Sequence, residues 1–353
     1  MMRRRAAALV ATALAGALPA VAGADQTTAL VARSTQLAAA PGLVVYSAWD
    51  AALGQYRLMQ LIDGVPSAVG VAPSARPFQA DVGPTASGRP YYVYVRCTTE
   101  AGSCDLYTFN PATRKELMSR ASDPRHDEQH PTYWRGRLAF VREFGDERKP
   151  KQIVYQRPTS RTSRSVRLPG LPAQRCAKGS CIDPEGRFDA LELYGERLAQ
   201  TAASDEISVF TAPGRRPEIF RSRQTELRLV DVRAGRSKQL AASGRGEGGQ
   251  SWVGVAFDAG RLYAAFTCLG DGGGCTRVRA GLYRYAYTTK EWAMSPRGST
   301  PTYAVAVAGG VTHELRDGPG LECDQEFFGA PGAGRCALVR RAPAPAYAAT
   351  AAP

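Results

Sequence analysis

The segment His130–Phe144, with the sequence HPTYWRGRLAFVREF, decides the fold that we expect for this chain. It predicts a short strand that ends at Trp134, a tight turn at Arg135–Gly136, and a second strand whose apolar residues alternate from Leu138. The same succession of strand, turn and strand recurs at four other places in the chain. The segment is therefore one unit of a repeating architecture.

The spacing of the units favours a β-propeller. The arginines that follow the turns lie at positions 89, 137, 197 and 261, which are 48, 60 and 64 residues apart. Periods near 50 residues, built of four short strands, are typical of propeller blades. No window shows clean helical periodicity, which disfavours an α/β barrel. We expect an all-β propeller of six blades, each a four-stranded antiparallel sheet. Uneven spacing leaves five to seven blades open, and a β-sandwich array with linkers is the alternative.

Each predicted unit begins with an inner strand. The six units start near Thr35, Phe78, His130, Ala190, Val253 and Tyr303. The third unit continues with strands at Ile153–Tyr155 and Ser165–Leu168. Thr28–Val31 also has β-propensity, and pairing it with the last blade would hide two sheet edges. We therefore expect this segment to close the ring.

The chain is expected to carry a cleaved secretory signal at residues 1–24. Three arginines precede the apolar run Ala6–Leu18, and Ala22–Ala24 is a small-residue cleavage site. The apolar run is shorter than the ~20 residues that span a bilayer, and no later segment approaches that length. Residues 25–342 would then form the propeller outside the cell or in the cell envelope. The Ala/Pro-rich residues 343–353 are expected to be a disordered tail.

The basic charge of the chain has two explanations. The formal net charge is +13, and removing the three signal arginines leaves 13 − 3 = +10. A basic surface suits nucleic acid, anionic lipid or acidic polymers. However, the 39 arginines against 6 lysines are spread without a basic block, which indicates compositional bias. We expect no nucleic-acid partner, no cofactor, a monomer, and an unknown protein or envelope polymer as partner.

The eight cysteines are expected to form local disulfides. Cysteines in a secreted chain with an even count favour disulfide bonds. The alternative is a metal site, but no C-x-x-C spacing occurs and the chain has only three histidines. Pairing by neighbourhood gives Cys97–Cys104, Cys176–Cys181, Cys268–Cys275 and Cys323–Cys336. Such short loops would pin the ends of hairpins against fraying.

The units resemble the repeats of TolB-type, WD-like β-propellers. Their motif is an aromatic residue, a polar turn, a basic residue and an apolar strand, which Trp134–Val141 matches with a turn one residue shorter. Asp105–Lys115 and Leu227–Arg236 resemble the strand and polar turn that follow. The resemblance covers most of residues 35–342 and looks closest to uncharacterised secreted bacterial propellers with hairpin disulfides. It implies the fold, and a role as scaffold, binder or appended enzyme domain, but no catalytic residues.

The densest polar cluster runs from His126 to His130. Zinc proteases need His-Glu-x-x-His on a helix so that both imidazoles share one face. Here Asp127 follows the first histidine, and Pro124 and Pro131 bracket the cluster and disfavour a helix. We expect an ordinary polar loop entering a blade and no metal site. A binding contact through His126 and His130 at the propeller mouth is the alternative.

Four acids at the predicted inner strands form a second constellation: Asp81, Glu128, Asp189 and Glu192. Inner strands line the central channel of a propeller, and glycosidases use paired carboxylates as acid and as base or nucleophile. These four are therefore candidate catalytic residues. The alternative, which we favour, is that they pair with arginines or face water. Convergence of two acids in one pocket would favour an enzyme, whereas an Arg-rich, acid-free mouth would favour a binder.

Two groups of aromatic residues are candidate binding residues. Phe327 and Phe328 lie in the loop between Cys323 and Cys336, where exposed neighbouring aromatics would anchor a partner. They fit equally well beneath that loop, against the sixth blade. Tyr91, Tyr92 and Tyr94 resemble a stacking platform for single strands, but aromatic-rich strands are more often core.

The sequence as a whole favours a non-catalytic binding or scaffold protein, in the cell envelope or the extracellular space. A hydrolase that acts on a glycan or related polymer through the channel acids is the alternative function.

Overall fold

The computed structural model of the protein describes residues 25–31, 35–99, 102–144, 151–156, 175–177, 180–182, 186–210, 218–242, 249–269, 280–295, 302–317, 323, 336–341 and 348–350. Within these ranges all regular secondary structure is β-strand, and no helix that could span a membrane is present. The described strands, numbered in chain order, are β1 (Gln26–Val31), β2 (Ala38–Ala40), β3 (Leu43–Asp50), β4 (Gln55–Ile62), β5 (Val65–Ala68), β6 (Gln79–Pro84), β7 (Pro90–Thr99), β8 (Gly102–Asn110), β9 (Lys115–Met118), β10 (Asp127–Trp134), β11 (Arg137–Glu143), β12 (Gln152–Gln156), β13 (Arg175–Ala177), β14 (Ser180–Ile182), β15 (Arg187–Tyr194), β16 (Arg197–Phe210), β17 (Glu218–Asp231), β18 (Arg236–Ala242), β19 (Gly249–Asp258), β20 (Arg261–Leu269), β21 (Gly281–Ala286), β22 (Glu291–Met294), β23 (Ala304–Ala308), β24 (Val311–Asp317), β25 (Cys336–Arg341) and β26 (Ala348–Thr350).

The strands form six antiparallel sheets, which confirms the predicted six-bladed β-propeller. Blade one is β2–β5, blade two is β6–β9, and blade three is β10–β12 within the described residues. Its predicted fourth strand, Ser165–Leu168, lies outside those residues. Blade four is β15–β18, extended by the hairpin β13–β14, which pairs with β16. Blade five is β19–β22 with β26 added, and blade six is β23–β25 with β1.

Each of six hydrophobic clusters joins two neighbouring blades, so the core is a ring of interfaces between blades. β11 shows why the expected alternation of apolar residues from Leu138 is wrong for a middle strand. Leu138 and Phe140 pack against blade two, whereas Ala139 and Val141 pack against blade four, and all four are fully buried. Because both faces of this sheet meet another blade, its middle strand is continuously apolar.

The ring is closed by the first described strand, as the sequence predicted. β1 pairs antiparallel with β25, from Gln26 opposite Arg340 to Val31 opposite Cys336. The Thr28 hydroxyl donates to the Leu338 carbonyl oxygen at 3.0 Å. This pairing removes the outer edge that β25 would otherwise expose.

A buried ion network supports the closure from the side of blade six. Asp25 Oδ2 lies 3.0 Å from Arg316 Nη1, and Arg316 Nη2 lies 2.9 Å from Glu314 Oε2. Glu314 is fully buried and also meets Arg341 Nε at 2.7 Å. The network therefore links Asp25, which directly precedes β1, to side chains on β24 and β25.

Three residues of the Ala/Pro-rich tail form a strand among the described residues. β26 pairs with β22, with Ala348 opposite Met294 and Thr350 opposite Trp292. The outer strand of a blade presents unpaired backbone groups, and a short alanine segment can add to that edge without steric conflict.

Two predicted disulfides are present among the described residues. Cys97 and Cys104 join β7 to β8, and Cys323 is bonded to Cys336. Cys176 and Cys181 stand opposite one another in the β13–β14 register, although their side chains lie outside the described residues. Cys275 lies outside them as well, so the Cys268–Cys275 pair remains a prediction.

Candidate functional site

Two cavities occupy the two ends of the ring of inner strands. The larger, which we call the channel cavity, has a volume of about 540 Å³ and lies where the inner strands end. The smaller, which we call the opposite mouth, has a volume of about 380 Å³ and lies where they begin. All six blades line each cavity. In chain order the channel cavity is lined, among others, by Ala40, Pro84, Trp134, Glu192, Phe257 and Ala308. The opposite mouth is lined, among others, by Gln36, Gln79, His130, Asp189, Gly254 and Val305.

Aromatic side chains from blades three to five form one wall of the channel cavity. Trp134 is the last residue of β10, Tyr194 is the last residue of β15, and Phe257 is the penultimate residue of β19. The ring centroids of Trp134 and Tyr194 are 4.2 Å apart, and those of Tyr194 and Phe257 are 5.8 Å apart. We call these three residues the aromatic arc. The repeated motif contained the signal, because an aromatic residue precedes the turn in successive units.

The charged residues that line the channel cavity are all acidic. Among its described lining residues are Asp81, Glu192 and Asp258, and there is no lysine, arginine or histidine. Asp258, which our sequence reasoning missed, accepts hydrogen bonds from the backbone N–H groups of Gly309 (3.2 Å) and Gly310 (2.8 Å). Its carboxylate therefore ties blade five to blade six. The signal was its place at the end of an inner strand, directly before the turn.

Both carboxyl oxygens of Asp81 accept hydrogen bonds from the protein. Its Oδ1 accepts from the Val82 N–H at 2.7 Å. Its Oδ2 accepts from the Tyr133 N–H at 2.6 Å and from the Thr132 hydroxyl at 3.1 Å. Burial raises the pKa of Asp81 to about 6, and these three hydrogen bonds oppose the rise. The carboxylate thus holds β10 of blade three against β6 of blade two.

Glu192 lines the same cavity without such partners. Its side chain is partly exposed, and it has no hydrogen bond or ion pair with a described residue. Burial raises the pKa of Glu192 well above its ordinary value, and the negative charge of Asp81 raises it further. Of the four predicted acids, Asp81 and Glu192 therefore converge in the channel cavity. Only Glu192 has carboxyl oxygens free of protein hydrogen bonds.

The other two predicted acids lie elsewhere. Asp189 lines the opposite mouth, where its Oδ1 lies 2.8 Å from Arg187 Nε. Glu128 is fully buried and accepts hydrogen bonds from the Ser122 hydroxyl (2.7 Å), the Asp123 N–H (3.1 Å) and Arg142 Nη2 (3.0 Å). Burial raises the pKa of Glu128 to about 7, against the effect of these donors. Glu128 therefore fastens the segment before β10 and lines neither cavity.

The two histidines predicted as binding residues lie in different parts of the structure. His126 packs edge-on against Phe144, with ring centroids 4.7 Å apart, and lies 3.9 Å from Asp123. His130 lines the opposite mouth at a β-bulge, with φ of 48°, and its N–H donates to Gln79 Oε1 at 2.7 Å. Burial lowers the pKa of His130 to about 4, and the charge of Lys151 lowers it further. Within the described residues, no group of three or more His, Cys, Asp or Glu side chains could hold a metal ion.

The aromatic candidates are only partly covered by the structure. Tyr92 and Tyr94 are buried core residues, and their hydroxyls donate to Gln60 Oε1 (2.6 Å) and Glu116 Oε1 (2.7 Å). Their place in the core leaves no stacking platform on β7. Phe327 and Phe328 lie outside the described residues.

Comparisons with known proteins find similar solved structures but no related sequence. No protein-family model matches the chain, and no curated protein sequence matches it. Similar solved structures include TolB from Acinetobacter baumannii, at 13% identity and a TM-score of 0.44, with 87% of this chain and 66% of TolB covered. A puromycin hydrolase is similar at 15% identity and a TM-score of 0.42, over 81% of this chain and 50% of that one. An oligogalacturonate lyase from Vibrio parahaemolyticus is similar at 9% identity and a TM-score of 0.45, over 89% of this chain and 91% of the lyase. The chain thus spans just under two thirds of TolB and half of the hydrolase.

Proposed function

We propose that the chain is a propeller of the cell envelope or extracellular space that binds a ligand in the channel cavity without turning it over. The observation that carries the proposal is the contrast between the two acids of the cavity. Both carboxyl oxygens of Asp81 accept protein hydrogen bonds, and those to Oδ2 join blade two to blade three. The carboxyl oxygens of Glu192 line the cavity and have no hydrogen bond with a described residue. A predominantly apolar cavity with few convergent polar groups is typical of small-molecule sites.

The same contrast argues against catalysis by the pair. An acid–base pair of the glycosidase type needs two carboxyl groups that both reach the substrate. Asp81 is 3% exposed and faces three protein donors, so it would have to break structural hydrogen bonds to exchange a proton with a substrate. Glu192 alone lacks a second group for that chemistry.

The location in the envelope or outside the cell is part of the proposal. Two disulfides among the described residues are compatible with an oxidising compartment, where such bonds persist. The sequence of residues 1–24 has the pattern of a secretory signal. N-terminal sequencing of the exported protein would test this part, and a mature start near Asp25 is expected.

A polymer hydrolase remains the second candidate function, because one observation favours it. Asp81 and Glu192 line one cavity, and the charge of Asp81 raises the pKa of Glu192. Carboxyl groups that interact in this way can divide acid and base roles between them. Incubation of the protein with envelope glycans, followed by product analysis, separates this candidate from the binder. Turnover that is lost in both Asp81→Asn and Glu192→Gln would establish the hydrolase.

The binding proposal is tested by obstructing the cavity. A fragment library of all charge classes would be screened by ligand-observed NMR against the native protein. Ala308 lines the cavity, so Ala308→Trp places a large side chain in it. The matched control is Ala112→Trp, at an exposed turn position outside the cavity.

Fragments that bind the native protein and the Ala112→Trp variant, but not a folded Ala308→Trp variant, are the expected result. The proposal fails if every detected fragment binds the Ala308→Trp variant as well as it binds the native protein. It also fails if the library yields no fragment at all.

A further inference from the structure

We infer that the ligand of the channel cavity is an organic ammonium ion, held by the Glu192 carboxylate and by the faces of Trp134, Tyr194 and Phe257. The inference rests on the proposed function and specifies the class of ligand. It comes from the charge and the shape of the cavity walls.

Charge complementarity is the first argument. The chain has a net charge of +13, yet the described residues that line the channel cavity include three acids and no base. Such a reversal of sign within a concave site concentrates cations and repels anions. Two of the three acids are engaged by protein donors, so Glu192 provides the one carboxylate that can pair with a ligand.

The aromatic arc is the second argument. Cations are attracted to the faces of Trp, Tyr and Phe rings, and quaternary ammonium ligands are bound by groups of such rings. The arc places three rings on the wall that also contains Glu192. Trp134 already attracts the guanidinium of Arg135, whose Cζ lies 5.6 Å from the ring centroid. Arg135 is exposed and is not among the residues that line the cavity.

Among the described residues that line the channel cavity, none is a cation that could take the place of the ligand. The charge that acts on Glu192 is the negative charge of Asp81 on β6. Tyr287, which follows β21, is also close, and its buried hydroxyl has no hydrogen-bond partner. Arg197 stacks over the Tyr287 ring at 4.6 Å and is exposed. An ammonium ion in the cavity would supply the opposite charge for Glu192.

A bare metal ion fits the same walls poorly. Hard cations such as Ca²⁺ need six to eight oxygen ligands. Here the oxygens of Asp81 and Asp258 accept protein hydrogen bonds, and the remaining wall is largely apolar. An organic cation suits such a wall because its alkyl or aryl part is apolar.

The experiment isolates charge from shape with three isosteric probes. Choline carries a trimethylammonium group, 3,3-dimethylbutan-1-ol replaces its nitrogen with carbon, and 3,3-dimethylbutanoate carries a negative charge instead. Each would be titrated by NMR at pH 8.5 and constant ionic strength against the native protein and the Glu192→Gln variant, because burial raises the pKa of Glu192 and its ionised form is the one that pairs with a cation. Glu196→Gln is the matched control, because Glu196 lies four residues further on, is exposed, and is not among the cavity-lining residues.

Choline is expected to bind at least about tenfold more tightly than the neutral alcohol, because its positive charge is attracted by the Glu192 carboxylate and by the aromatic faces, whereas the alcohol carries no charge. The butanoate is expected not to bind. Glu192→Gln is expected to weaken choline at least about tenfold and to leave the alcohol unchanged, and Glu196→Gln to change neither.

Equal affinity for choline and the alcohol, unaffected by Glu192→Gln, would overturn the ammonium assignment and leave the channel cavity as a ligand site. Binding of neither probe would overturn the assignment too. The fragment screen with the obstructed cavity does not depend on charge, so it decides separately whether the proposed function fails as well.

Discussion

The Thr132 hydroxyl donates a hydrogen bond to Asp81 Oδ2 at 3.1 Å and accepts one from the Leu193 N–H at 2.8 Å. Thr132 lies on β10, Asp81 on β6 and Leu193 on β15, so one buried hydroxyl joins the inner strands of three successive blades. Glu192 is the residue directly before Leu193, whose N–H ends this chain of hydrogen bonds. The position of the candidate ligand-binding acid therefore depends on Asp81.

Asp81→Asn is expected to destabilise the protein by about 1–3 kcal/mol, because the amide group would face a backbone donor and leave it unsatisfied. Both oxygens of Asp81 now accept from protein donors, so either orientation of the amide creates such a conflict. Urea unfolding at pH 7 measures the change. Glu192→Gln, an equivalent change to a side chain without partners, is the control and should cost less. Equal costs for the two variants would contradict the structural role assigned to Asp81.

Thermal stability is expected to fall as the pH rises from 6.5 to 8.5. The folded-state pKa of Asp81 is raised to about 6, that of Glu128 to about 7, and that of Glu192 well above its ordinary value. A raised pKa means that the folded state binds more protons than the unfolded state, so stability is lost as pH rises through the folded pKa. His130 and His313, with pKa values lowered to about 4, act in the opposite sense below pH 6.5.

The measurement is the melting temperature at constant ionic strength across that window. Glu128→Gln removes the acid whose pKa of about 7 lies in this window, so its melting temperature should fall less steeply. Each acid contributes at most about 1.4 kcal/mol per pH unit. A melting temperature that rises between pH 6.5 and 8.5 would refute the assignment of these raised pKa values.

Deleting residues 25–34 is expected to lower the melting temperature of the whole propeller by several degrees. The deletion removes β1 from blade six, exposes the edge of β25, and leaves Arg316 without Asp25. Leu30→Ala is the control, because the Leu30 side chain is 56% exposed and its backbone pairing would remain. An unchanged melting temperature after the deletion would mean that β1 adds nothing to the stability of the ring.

Gly83→Ala is expected to prevent correct packing of blade two against blade three. A Cβ atom at position 83 would lie 1.8 Å from the Tyr133 carbonyl oxygen, which belongs to the backbone of β10 and cannot rotate away. Gly70→Ala is the matched control, since a Cβ there would meet nothing within 4 Å. Soluble yield and urea unfolding of both variants measure the difference. A Gly83→Ala protein as stable as Gly70→Ala would show that the blades do not approach so closely.

Peptide mapping without reduction is expected to recover four local disulfides. Cys97–Cys104 and Cys323–Cys336 are present in the structure, and Cys176–Cys181 and Cys268–Cys275 follow from their spacing. The β13–β14 register brings the backbones of Cys176 and Cys181 opposite one another. A cross-link between cysteines of different blades would contradict the hairpin scheme.

The fold was predictable from the sequence because each unit encodes its own hairpins. Turn glycines between β-prone runs located the strands, and the recurrence of the unit implied a ring that a terminal strand would close. The added strands β13, β14 and β26 were not predictable in this way. These strands pair at sheet edges that exist only after the blades have formed, so no local sequence pattern predicts the pairing.

The site was predictable only in part, because sequence spacing does not show which end of the channel a residue faces. Asp189 and Glu192 are three residues apart on β15, which is about 10 Å along an extended strand. That distance separates the opposite mouth from the channel cavity. The register shift in β10 between Gln129 and Thr132 likewise separates Glu128 from the residues that follow. Bulges of this kind break the two-residue period on which a prediction of facing depends.

The pairing of β1 with β25 also sets an order of events during synthesis. Blade six takes its outer strand from residues 26–31 and its other strands from residues 304–341, so a nascent chain cannot complete it until Arg341 has left the ribosome. Blades one to five each draw their core strands from a continuous stretch of chain and can form earlier. Before β25 is available, β1 is an unpaired β-prone segment, and such segments tend to aggregate or to bind chaperones. Closure of the ring therefore comes after the first five blades can form their core strands.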